Sequence, residues 1–165
     1  MKKVIVIGCP GSGKSTFSRA LHDKTNIPLF HLDMLYWNAD KTIVPKPIFL
    51  ERLQNIMEQD AWIIDGNYGS TMEMRIKACD TIFFLDYPTG ICIEGILSRQ
   101  GKPRADIPWI EKVGEVDEDF MSLIRNYNKN NRPNVLKLLE QYQNKNIIIF
   151  RSREESAVYL KQPTV

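Results

Sequence analysis

The sequence of 165 residues contains no apolar run close to the roughly 18 residues that a membrane-spanning helix needs. Its longest apolar runs, residues 4–7, 81–85 and 147–150, have the length of single strands. The short apolar stretch that follows Lys2 and Lys3 is also too brief for a signal peptide, whose apolar core spans about 7 to 15 residues. We therefore exclude a transmembrane protein and expect no membrane partner.

Neither sign of charge dominates, because 22 Lys and Arg residues stand against 20 Asp and Glu residues, for a net charge of +2. A dedicated nucleic-acid-binding domain has a stronger basic excess, and the sequence shows no helix-turn-helix spacing, so direct nucleic-acid contact is not expected. The three cysteines, Cys9, Cys79 and Cys92, lack the paired spacing of a zinc site or a disulfide framework. This pattern favours a reducing compartment, and we expect a cytoplasmic protein.

Glycine and proline are not enriched, at nine residues each, and no repeat, low-complexity tract or Ser- or Gly-rich linker divides the chain. Hydrophobic residues make up 43% and charged residues 25% of the sequence, which excludes collagen-like, mucin-like and generally disordered chains. We therefore expect one globular domain over residues 1–165 that builds its core without a metal or a disulfide.

Short apolar segments alternate with amphipathic ones, which is typical of repeated βαβ units and predicts an α/β fold with a mainly parallel sheet. The predicted strands are almost continuously apolar, as expected for strands covered on both faces, and comprise residues 3–7, 29–32, 62–65, 81–86 and 147–150. The predicted helices comprise residues 14–24, 47–59, 89–98, 118–127, 132–142 and 154–160.

One segment interrupts this alternation. Residues 100–116 contain Gly101, Pro103, Pro108 and Gly114, which break any regular hydrophobic period. The segment is also charged. We therefore predict a mobile excursion from the domain, or short lid insertion, over about residues 100–116.

The most informative motif is at residues 8–15, which match the pattern G-x-x-x-x-G-K-S/T directly after a predicted strand and before a predicted helix. Such glycines let consecutive backbone N–H groups converge on phosphate oxygens, and the following helix directs its positive end at the same point. The motif predicts a site for nucleotide phosphates formed by Gly8, Pro10, Gly11, Ser12, Gly13, Lys14, Ser15 and Thr16.

Individual residues of this P-loop have different expected roles. Lys14 supplies a compact positive charge for the β and γ phosphates, and the Ser15 hydroxyl can enter the octahedral shell of a Mg²⁺ ion. Thr16 either reaches an α phosphate or only starts the helix. Cys9 is expected to fill the loop as a small residue rather than to act as a redox sensor.

A P-loop alone does not distinguish kinases, GTPases and motor ATPases. A guanine-specific GTPase needs the element Asn-Lys-x-Asp, and the nearest match, residues 128–131, ends in Asn131 and so lacks the carboxylate that would pair with guanine. A transporter-type Leu-Ser-Gly-Gly signature is absent, and 165 residues is short for a motor core. These observations argue against a GTPase, a transporter-type ATPase and a motor ATPase, and they leave a kinase open.

Three further motifs follow the P-loop: residues 32–35 read Leu-Asp-Met-Leu, residues 62–68 read Trp-Ile-Ile-Asp-Gly-Asn-Tyr, and residues 83–88 read Phe-Phe-Leu-Asp-Tyr-Pro. In this order they resemble the adenylate kinase superfamily. His-Leu-Asp at residues 31–33 with a Trp four positions beyond the Asp, together with Ile-Asp-Gly-Asn-Tyr, is similar to the adenylate-kinase-related bacterial group called DNA topology modulation proteins.

This resemblance covers nearly the whole chain. It implies a three-layer P-loop NTPase fold with a five-stranded parallel sheet of order 2-3-1-4-5. It also implies an ATP site on the P-loop, an acceptor site opposite, and a lid that closes over both.

The chain departs from nucleoside monophosphate kinases of this superfamily at two positions. There, the Asp-Met-Leu element is followed by an Arg and the Asp-Gly element by Phe-Pro-Arg, and both arginines grip the acceptor phosphate. Tyr36, Asn67 and Tyr68 stand at the corresponding places here. The loss of two bidentate phosphate ligands argues against AMP as the acceptor, although Arg75 could substitute for them.

Three aspartates end predicted strands, at the edge where open parallel sheets bind ligands. We expect Asp65 to lie near Mg²⁺ through a bound water, the alternative being a cap on the Gly66 turn. Asp33 is expected to orient the acceptor hydroxyl or accept its proton, the alternative being a helix N-cap. The resemblance makes Asp86 a structural residue.

Arginines provide the candidate groups that stabilise charge on a transferring phosphoryl group. Arg99 and Arg104 flank the break at residues 101–103, where a lid hinge could swing them onto the phosphates. Arg125 and Arg132 are further candidates, the alternative being a solvated helix face. In similar proteins the loop after the fifth strand lies against adenine, which implies nucleotide contacts for Arg151 and Arg153.

The remaining aromatic and histidine residues divide by context. Trp62 begins a predicted strand and is expected in the core, whereas Trp37 is expected to line the acceptor pocket and Trp109 to anchor the closed lid. His22 and His31 lack metal-ligand spacing, and His31 is expected to be packed in the structure, the alternative being a contact with the acceptor site.

The leading hypothesis is a kinase that uses ATP and Mg²⁺ to phosphorylate a small-molecule acceptor by in-line transfer. An ATP-binding regulatory protein that affects DNA topology or gene expression, with little or no transfer, is the alternative. A plain NTPase is the third hypothesis. The sequence leaves the acceptor and the oligomeric state open.

Overall fold

A computed structural model describes residues 1–115 and 117–163 of the chain. Five strands form one parallel sheet: β1 (Lys3–Gly8), β2 (Leu29–His31), β3 (Trp62–Asp65), β4 (Thr81–Leu85) and β5 (Asn146–Phe150). The strands lie side by side in the order β2-β3-β1-β4-β5. Both the predicted parallel sheet and its order 2-3-1-4-5 are therefore confirmed.

Helices connect the strands and cover both faces of the sheet. They are α1 (Lys14–Thr25), α2 (Leu32–Tyr36), α3 (Lys46–Met57), α4 (Gly69–Ala78), α5 (Thr89–Arg99), α6 (Glu118–Asn130), α7 (Arg132–Gln141) and α8 (Arg153–Lys161). Within the described ranges, none of these helices has both the length and the apolar character to span a membrane.

Two helices, α2 and α4, were not predicted from the sequence. Helix α2 has only five residues, too few for a hydrophobic period to appear. Helix α4 buries Thr71, Met72, Arg75 and Ile76, so half of its inward face is polar and the apolar repeat of an amphipathic helix is hidden.

Strand β1 is at the centre of three layers. Val4 and Val6 pack on one face of the sheet with residues of α1, α5 and α6, and Ile5 and Ile7 pack on the other face with residues of α3, α4 and α7. All four β1 side chains are fully buried. The two-sided packing explains why the strand sequences are continuously apolar instead of alternating.

The register of the strands brings polar residues to the carboxyl edge of the sheet. Val6 of β1 pairs with Asp65 of β3, and Asp65 pairs in turn with His31 of β2. On the other side, Gly8 pairs with Leu85 of β4. The P-loop therefore emerges between the ends of β3 and β4, which is where an open parallel sheet forms a ligand crevice.

The predicted excursion lies between α5 and α6. Residues 100–115 contain no helix or strand, only turns and bends, whereas position 116, the last of the predicted range, lies outside the described residues. The amide N–H of Gly101 donates to the carbonyl of Glu111 over 2.5 Å, which brings the two ends of the excursion together. Asp106 and Ile107 are nevertheless buried, so the segment packs against the domain.

Candidate active site

The P-loop is pressed against the backbone of α5. Gly11 has φ +84, and a Cβ there would lie 1.9 Å from the carbonyl oxygen of Cys92. The contact is reciprocal, because a Cβ on Gly95 would lie 2.0 Å from the carbonyl oxygen of Gly11. Gly13 also has a left-handed conformation, φ +90, but nothing lies within 4 Å of its Cβ position. Position 11 needs both a positive φ and space for the backbone of α5, and only glycine meets both requirements.

The start of α1 offers donors that have no protein partner. Gly13 caps the helix without a side-chain hydrogen bond. Among the described residues, the backbone N–H groups of Lys14 and Ser15 donate no hydrogen bond, and the buried Ser12 hydroxyl has no partner. Such groups at a helix N-terminus form an anion site, so the loop fits the phosphates of a nucleotide.

Lys14 lies within the same loop. Its ammonium Nζ donates to the carbonyl oxygens of Gly8 over 2.9 Å and Cys9 over 3.1 Å. Burial lowers the pKa of Lys14, an effect that the charges of Asp65 and Asp33 partly oppose. A phosphate beside the ammonium would favour its charged form, which again fits a phosphate ligand.

The loop forms one end of a cavity of about 740 Å³. Strand ends, α6 and α7, and the excursion after α5 complete its walls. The structure thus brings together nine of the predicted site residues along one cavity: Pro10, Gly11, Gly13, Lys14, Ser15, Asp33, Asp65, Arg99 and Arg104.

Asp65 and Asp33 occupy adjacent positions with different partners. The Asp65 carboxylate lies 2.9 Å from Nδ1 of His31 and is almost completely buried, as is the imidazole, which agrees with the expectation of a packed histidine. Asp33 accepts a hydrogen bond of 2.5 Å from the Tyr68 hydroxyl. Burial raises the pKa of Asp33 above its ordinary value. A carboxyl group with a raised pKa, within the cavity, is suited to accept a proton.

Asn67 has a role that the sequence did not reveal. Its side-chain oxygen accepts from the backbone N–H of Gly8 over 3.1 Å, and its side-chain nitrogen donates to the carbonyl of Gly8 over 2.6 Å. This pair of bonds ties the loop after β3 to the first residue of the P-loop. The predicted adjacency of the first and third strands at one sheet edge was the signal that could have indicated it.

Arg99 and Arg104 reach the cavity but are paired with carboxylates of the excursion. Nε of Arg99 lies 3.1 Å from Glu111, and Nη1 of Arg104 lies 3.0 Å from the same residue. Nη2 of Arg104 also lies 2.5 Å from Asp106. The two arginines and two acids form one charge cluster at the cavity rim.

The other predicted arginines do not line the cavity. Arg132 donates two bonds of 2.8 Å to Asp86, and Arg151 pairs with the same carboxylate. Asp86 thus holds two arginines, in agreement with its expected structural role. Arg125 pairs with Glu118 on an exposed face, and Arg153 donates to the Ile91 carbonyl over 3.3 Å. The predicted catalytic and nucleotide contacts of these four arginines stay predictions.

The remaining predicted P-loop positions, Gly8, Ser12 and Thr16, do not line the cavity. Gly8 is bound by Asn67, Ser12 is buried, and Thr16 is exposed on the first turn of α1. The Thr16 hydroxyl accepts a bond of 3.3 Å from Arg19. Thr16 was expected either to reach an α phosphate or only to start the helix, and this arrangement favours the second role.

The suggestion that Arg75 replaces the missing phosphate ligands is wrong. Its side chain is fully buried and donates to the carbonyl oxygens of Gly66, Asn67 and Tyr68 and to the Thr71 hydroxyl. Four of its five N–H donors hold the turn after β3 and the start of α4, and the buried side chain does not line the cavity.

Aromatic residues line the cavity beside Asp33, whose carboxylate accepts the hydrogen bond from Tyr68. Tyr36, Trp37 and Tyr68 line it, and the Trp37 ring contacts Trp109 of the excursion at 5.8 Å between centroids. The predictions for Trp37 and Trp109 are consistent with this contact. Trp62 is fully buried in the core, as expected.

The solved structures that are similar in fold to this chain include three shikimate kinases. The shikimate kinase from Acinetobacter baumannii in complex with shikimate has a TM-score of 0.61 at 14% identity, covering 98% of this chain and 92% of its own. The shikimate kinase from Bacteroides thetaiotaomicron has a TM-score of 0.54 at 18% identity, covering 96% and 93%. That from Aquifex aeolicus has 0.51 at 16%, covering 96% and 90%.

No protein-family model and no curated protein sequence matches the chain. At these identities, the likeness to the solved structures shows the fold alone. The chain therefore has a three-layer P-loop fold with a five-stranded parallel sheet of order 2-3-1-4-5, in agreement with the predicted fold class.

Proposed function

We propose that the protein is a phosphotransferase that uses ATP and Mg²⁺ to phosphorylate a hydroxyl group of a small acceptor. One observation carries this proposal: a single cavity joins the phosphate-binding loop to the Asp33 carboxyl group, with Arg99 and Arg104 at its rim. Such a cavity can hold a nucleotide and an acceptor together while excluding water, which favours transfer over hydrolysis.

The P-loop and the start of α1 would bind the ATP phosphates. The free N–H groups of Lys14 and Ser15 and the ammonium of Lys14 are the donors for this purpose. Ser15 and Asp65 would hold Mg²⁺, which neutralises charge on the phosphates when bound. Among residues 1–115 and 117–163, no group of three or more His, Cys, Asp or Glu forms a metal cage. A site shared with nucleotide phosphates needs only one or two protein ligands.

Asp33 would orient the acceptor hydroxyl and accept its proton, because its carboxyl group lies in the cavity and the Tyr68 hydroxyl fixes its orientation. Arg99 and Arg104 would stabilise charge on the transferred group. Asp106 and Glu111 hold these guanidinium groups at the rim until a phosphate competes for them.

The finer resemblance to DNA topology modulation proteins supports the alternative of an ATP-binding regulator with little transfer. The pairing of Arg99 and Arg104 with carboxylates favours it, since paired guanidinium groups stabilise developing charge less. The three buried free cysteines support a reducing, cytoplasmic location under either function.

The test is transfer of labelled γ phosphate from Mg²⁺-ATP to a panel of nucleosides, nucleotides, sugars and small hydroxy acids. We expect a labelled product that falls by about a thousandfold or more in Lys14→Ala, because the positive charge beside the transferred phosphate is lost. Circular dichroism should show the variant folded. Lys129→Ala, which removes an exposed lysine of α6, is the matched control.

Tight ATP binding with no labelled product from any acceptor would contradict the kinase and favour the regulator. Hydrolysis that no acceptor diminishes would favour a plain NTPase. Unfolding of Lys14→Ala would show that the lysine supports the fold instead of the ligand.

A further inference from the structure

The acceptor end of the cavity has a continuous aromatic wall. The Tyr36 ring lies 4.7 Å from the Tyr68 ring and 5.0 Å from the Trp37 ring, measured between centroids. Phe49 supports the wall from behind, 5.5 Å from Tyr36. Tyr36, Trp37 and Tyr68 are only half-buried and line the cavity, so this wall is available to a ligand.

The same end offers little positive charge to a ligand. Arg75 lies behind the wall with its donors bonded to the protein. Arg99 and Arg104 are paired with Glu111 and Asp106. Lys14 belongs to the phosphate-binding loop, with Nζ bonded to backbone carbonyls of that loop.

Negative charge, by contrast, is present on the acceptor side. Asp33 lines the cavity and accepts a hydrogen bond from the neutral Tyr68 hydroxyl, whereas the charge of Asp106 is balanced by its pair with Arg104. An acceptor carrying a phosphate or carboxylate would have to approach the Asp33 carboxylate, while Arg99 and Arg104 are already paired with carboxylates and Lys14 serves the phosphate-binding loop. A neutral ring with hydroxyl groups meets no such cost, and its face can pack on the aromatic wall.

We propose that the acceptor is an uncharged alcohol built on a ring, without phosphate or carboxylate, whose ring packs against Tyr36, Trp37 and Tyr68 while a hydroxyl group meets Asp33. This inference rests on the proposed function. A nucleoside and a neutral sugar share this chemistry and are the two sources to be distinguished.

Phosphoryl transfer to such an acceptor forms one P–O bond and breaks another. The acceptor oxygen forms a bond to the γ phosphorus of ATP, and the bond between that phosphorus and the β–γ bridging oxygen breaks. The hydroxyl proton passes to the Asp33 carboxylate and then to solvent. The products are ADP, the phosphate monoester of the alcohol and one proton.

The experiment measures binding separately from transfer, using two matched pairs of probes. Thymidine is compared with thymidine 5′-monophosphate, and glucose with glucose 6-phosphate. Isothermal titration calorimetry gives each affinity, with the P-loop saturated by Mg²⁺ and a non-hydrolysable ATP analogue. The same probes are then offered with labelled Mg²⁺-ATP. We expect the neutral member of one pair to bind at least about tenfold tighter than its charged partner, and the better pair identifies the source.

Two substitutions test the wall itself. Trp37→Ala should weaken binding of the neutral probe at least about fivefold and leave the affinity for the ATP analogue unchanged, whereas Trp37→Phe should keep most of the affinity because it keeps a ring. Tyr36→Arg should raise affinity for the charged member of the pair about tenfold. Tyr36→Gln, of similar length but neutral, should not.

Asp33→Asn provides a second change of charge should Tyr36→Arg fail to fold, since it neutralises the carboxylate without adding bulk. It should improve binding of the charged probes severalfold. Failure of both charge changes to improve that binding would contradict the electrostatic part of the argument.

Equal or tighter binding of the charged probes by the unaltered protein would overturn the inference, as would no measurable binding of either neutral probe at millimolar concentration. Labelled product from charged probes alone would also overturn it and leave the kinase intact. Selective binding of a neutral probe without labelled product would support the inference and contradict the kinase.

Discussion

The two ends of the cavity are built from different parts of the polypeptide. The phosphate-binding end is made from backbone: glycines pressed against α5 and free N–H groups at the start of α1. The acceptor end is made from side chains of the excursion and of residues that flank helices, including Arg104, Trp37 directly after α2 and Tyr68 directly before α4. A site made from backbone demands particular residues at fixed spacing, whereas a site made from side chains can change its ligand without changing the fold. Substitutions at the two ends should therefore impair different properties of the protein.

The largest expected effect at the acceptor end is on catalysis. Asp33→Asn removes the proton acceptor but keeps an oxygen for the Tyr68 hydroxyl, so we expect kcat to fall by about a hundredfold to a thousandfold. Affinity for ATP, measured by calorimetry, should stay within error. Tyr68→Phe, which removes only the orienting hydroxyl, should cost less. An unchanged kcat in Asp33→Asn would remove Asp33 from the chemistry.

Asp33→Asn also tests a pH dependence. In the unaltered protein, ionisation of Asp33 as pH rises should increase activity but decrease stability. Burial raises the pKa of Asp33, so the unaltered protein loses active carboxylate as pH falls through that value. Its folded state also binds the proton more readily than its unfolded state, so this group lowers stability as pH rises. Asp33→Asn should thus be more resistant to urea at neutral pH, and the difference should vanish in acid. Greater stability of the unaltered protein at neutral pH would contradict this assignment.

The next effect is at the rim. Arg104→Ala should lower kcat by about a hundredfold with little change in ATP affinity, because the contact with the transferred group is made mainly at the transition state. Lys102→Ala, an exposed neighbour in the same segment, is the control. An equal loss of ATP affinity would place Arg104 in ground-state recognition of the nucleotide.

At the backbone end, two glycines with the same left-handed conformation can be compared. Gly13→Ala should cost about 1–2 kcal/mol from its positive φ alone, since its Cβ meets open space. Gly11→Ala should add an overpacking cost of about 1–3 kcal/mol, because its Cβ would meet the backbone of Cys92. Urea unfolding measures both. Equal losses would show that the packing against α5 is relaxed in solution.

The smallest effect is expected for Arg125→Ala. This arginine pairs with Glu118 on the surface of α6, where solvent screens the interaction, so kcat should change by less than about twofold. Steady-state kinetics decide the matter. A tenfold loss would mean that α6 rearranges to bring Arg125 to the phosphates, and would return it to the list of catalytic candidates.

The backbone end and the sheet could be predicted because their signals are local. The P-loop is one continuous motif, and each buried strand is a continuous apolar run whose ends the structure matches within two residues. Helix α4 could not be predicted, because buried Arg75 interrupts its apolar face. The role of Arg75 itself depends on carbonyl groups that the turn after β3 orients, and the sequence says nothing of that geometry.

The acceptor end illustrates the same limit. Arg99 and Arg104 line the cavity and their phosphate contacts stay predictions, but their pairing with Glu111 and Asp106 depends on how residues 100–115 fold back. Arg132 and Arg151 are far apart in the sequence, and only the meeting of β4, β5 and α7 brings both to Asp86. Long-range ion pairs of this kind engage charged side chains that sequence analysis assigns to a ligand.

The contact between Gly11 and α5 has a mechanical consequence. Helix α5 has 11 residues, so at about 1.5 Å per residue it is a rod of about 16 Å. The P-loop rests on its middle, at Cys92 and Gly95, and the excursion begins where it ends, at Arg99. A swing that carried this rod would drag the P-loop along. We therefore expect the excursion to open about a pivot beyond this helix, at Gly101 with φ +71. The excursion would then move while the P-loop stays in place.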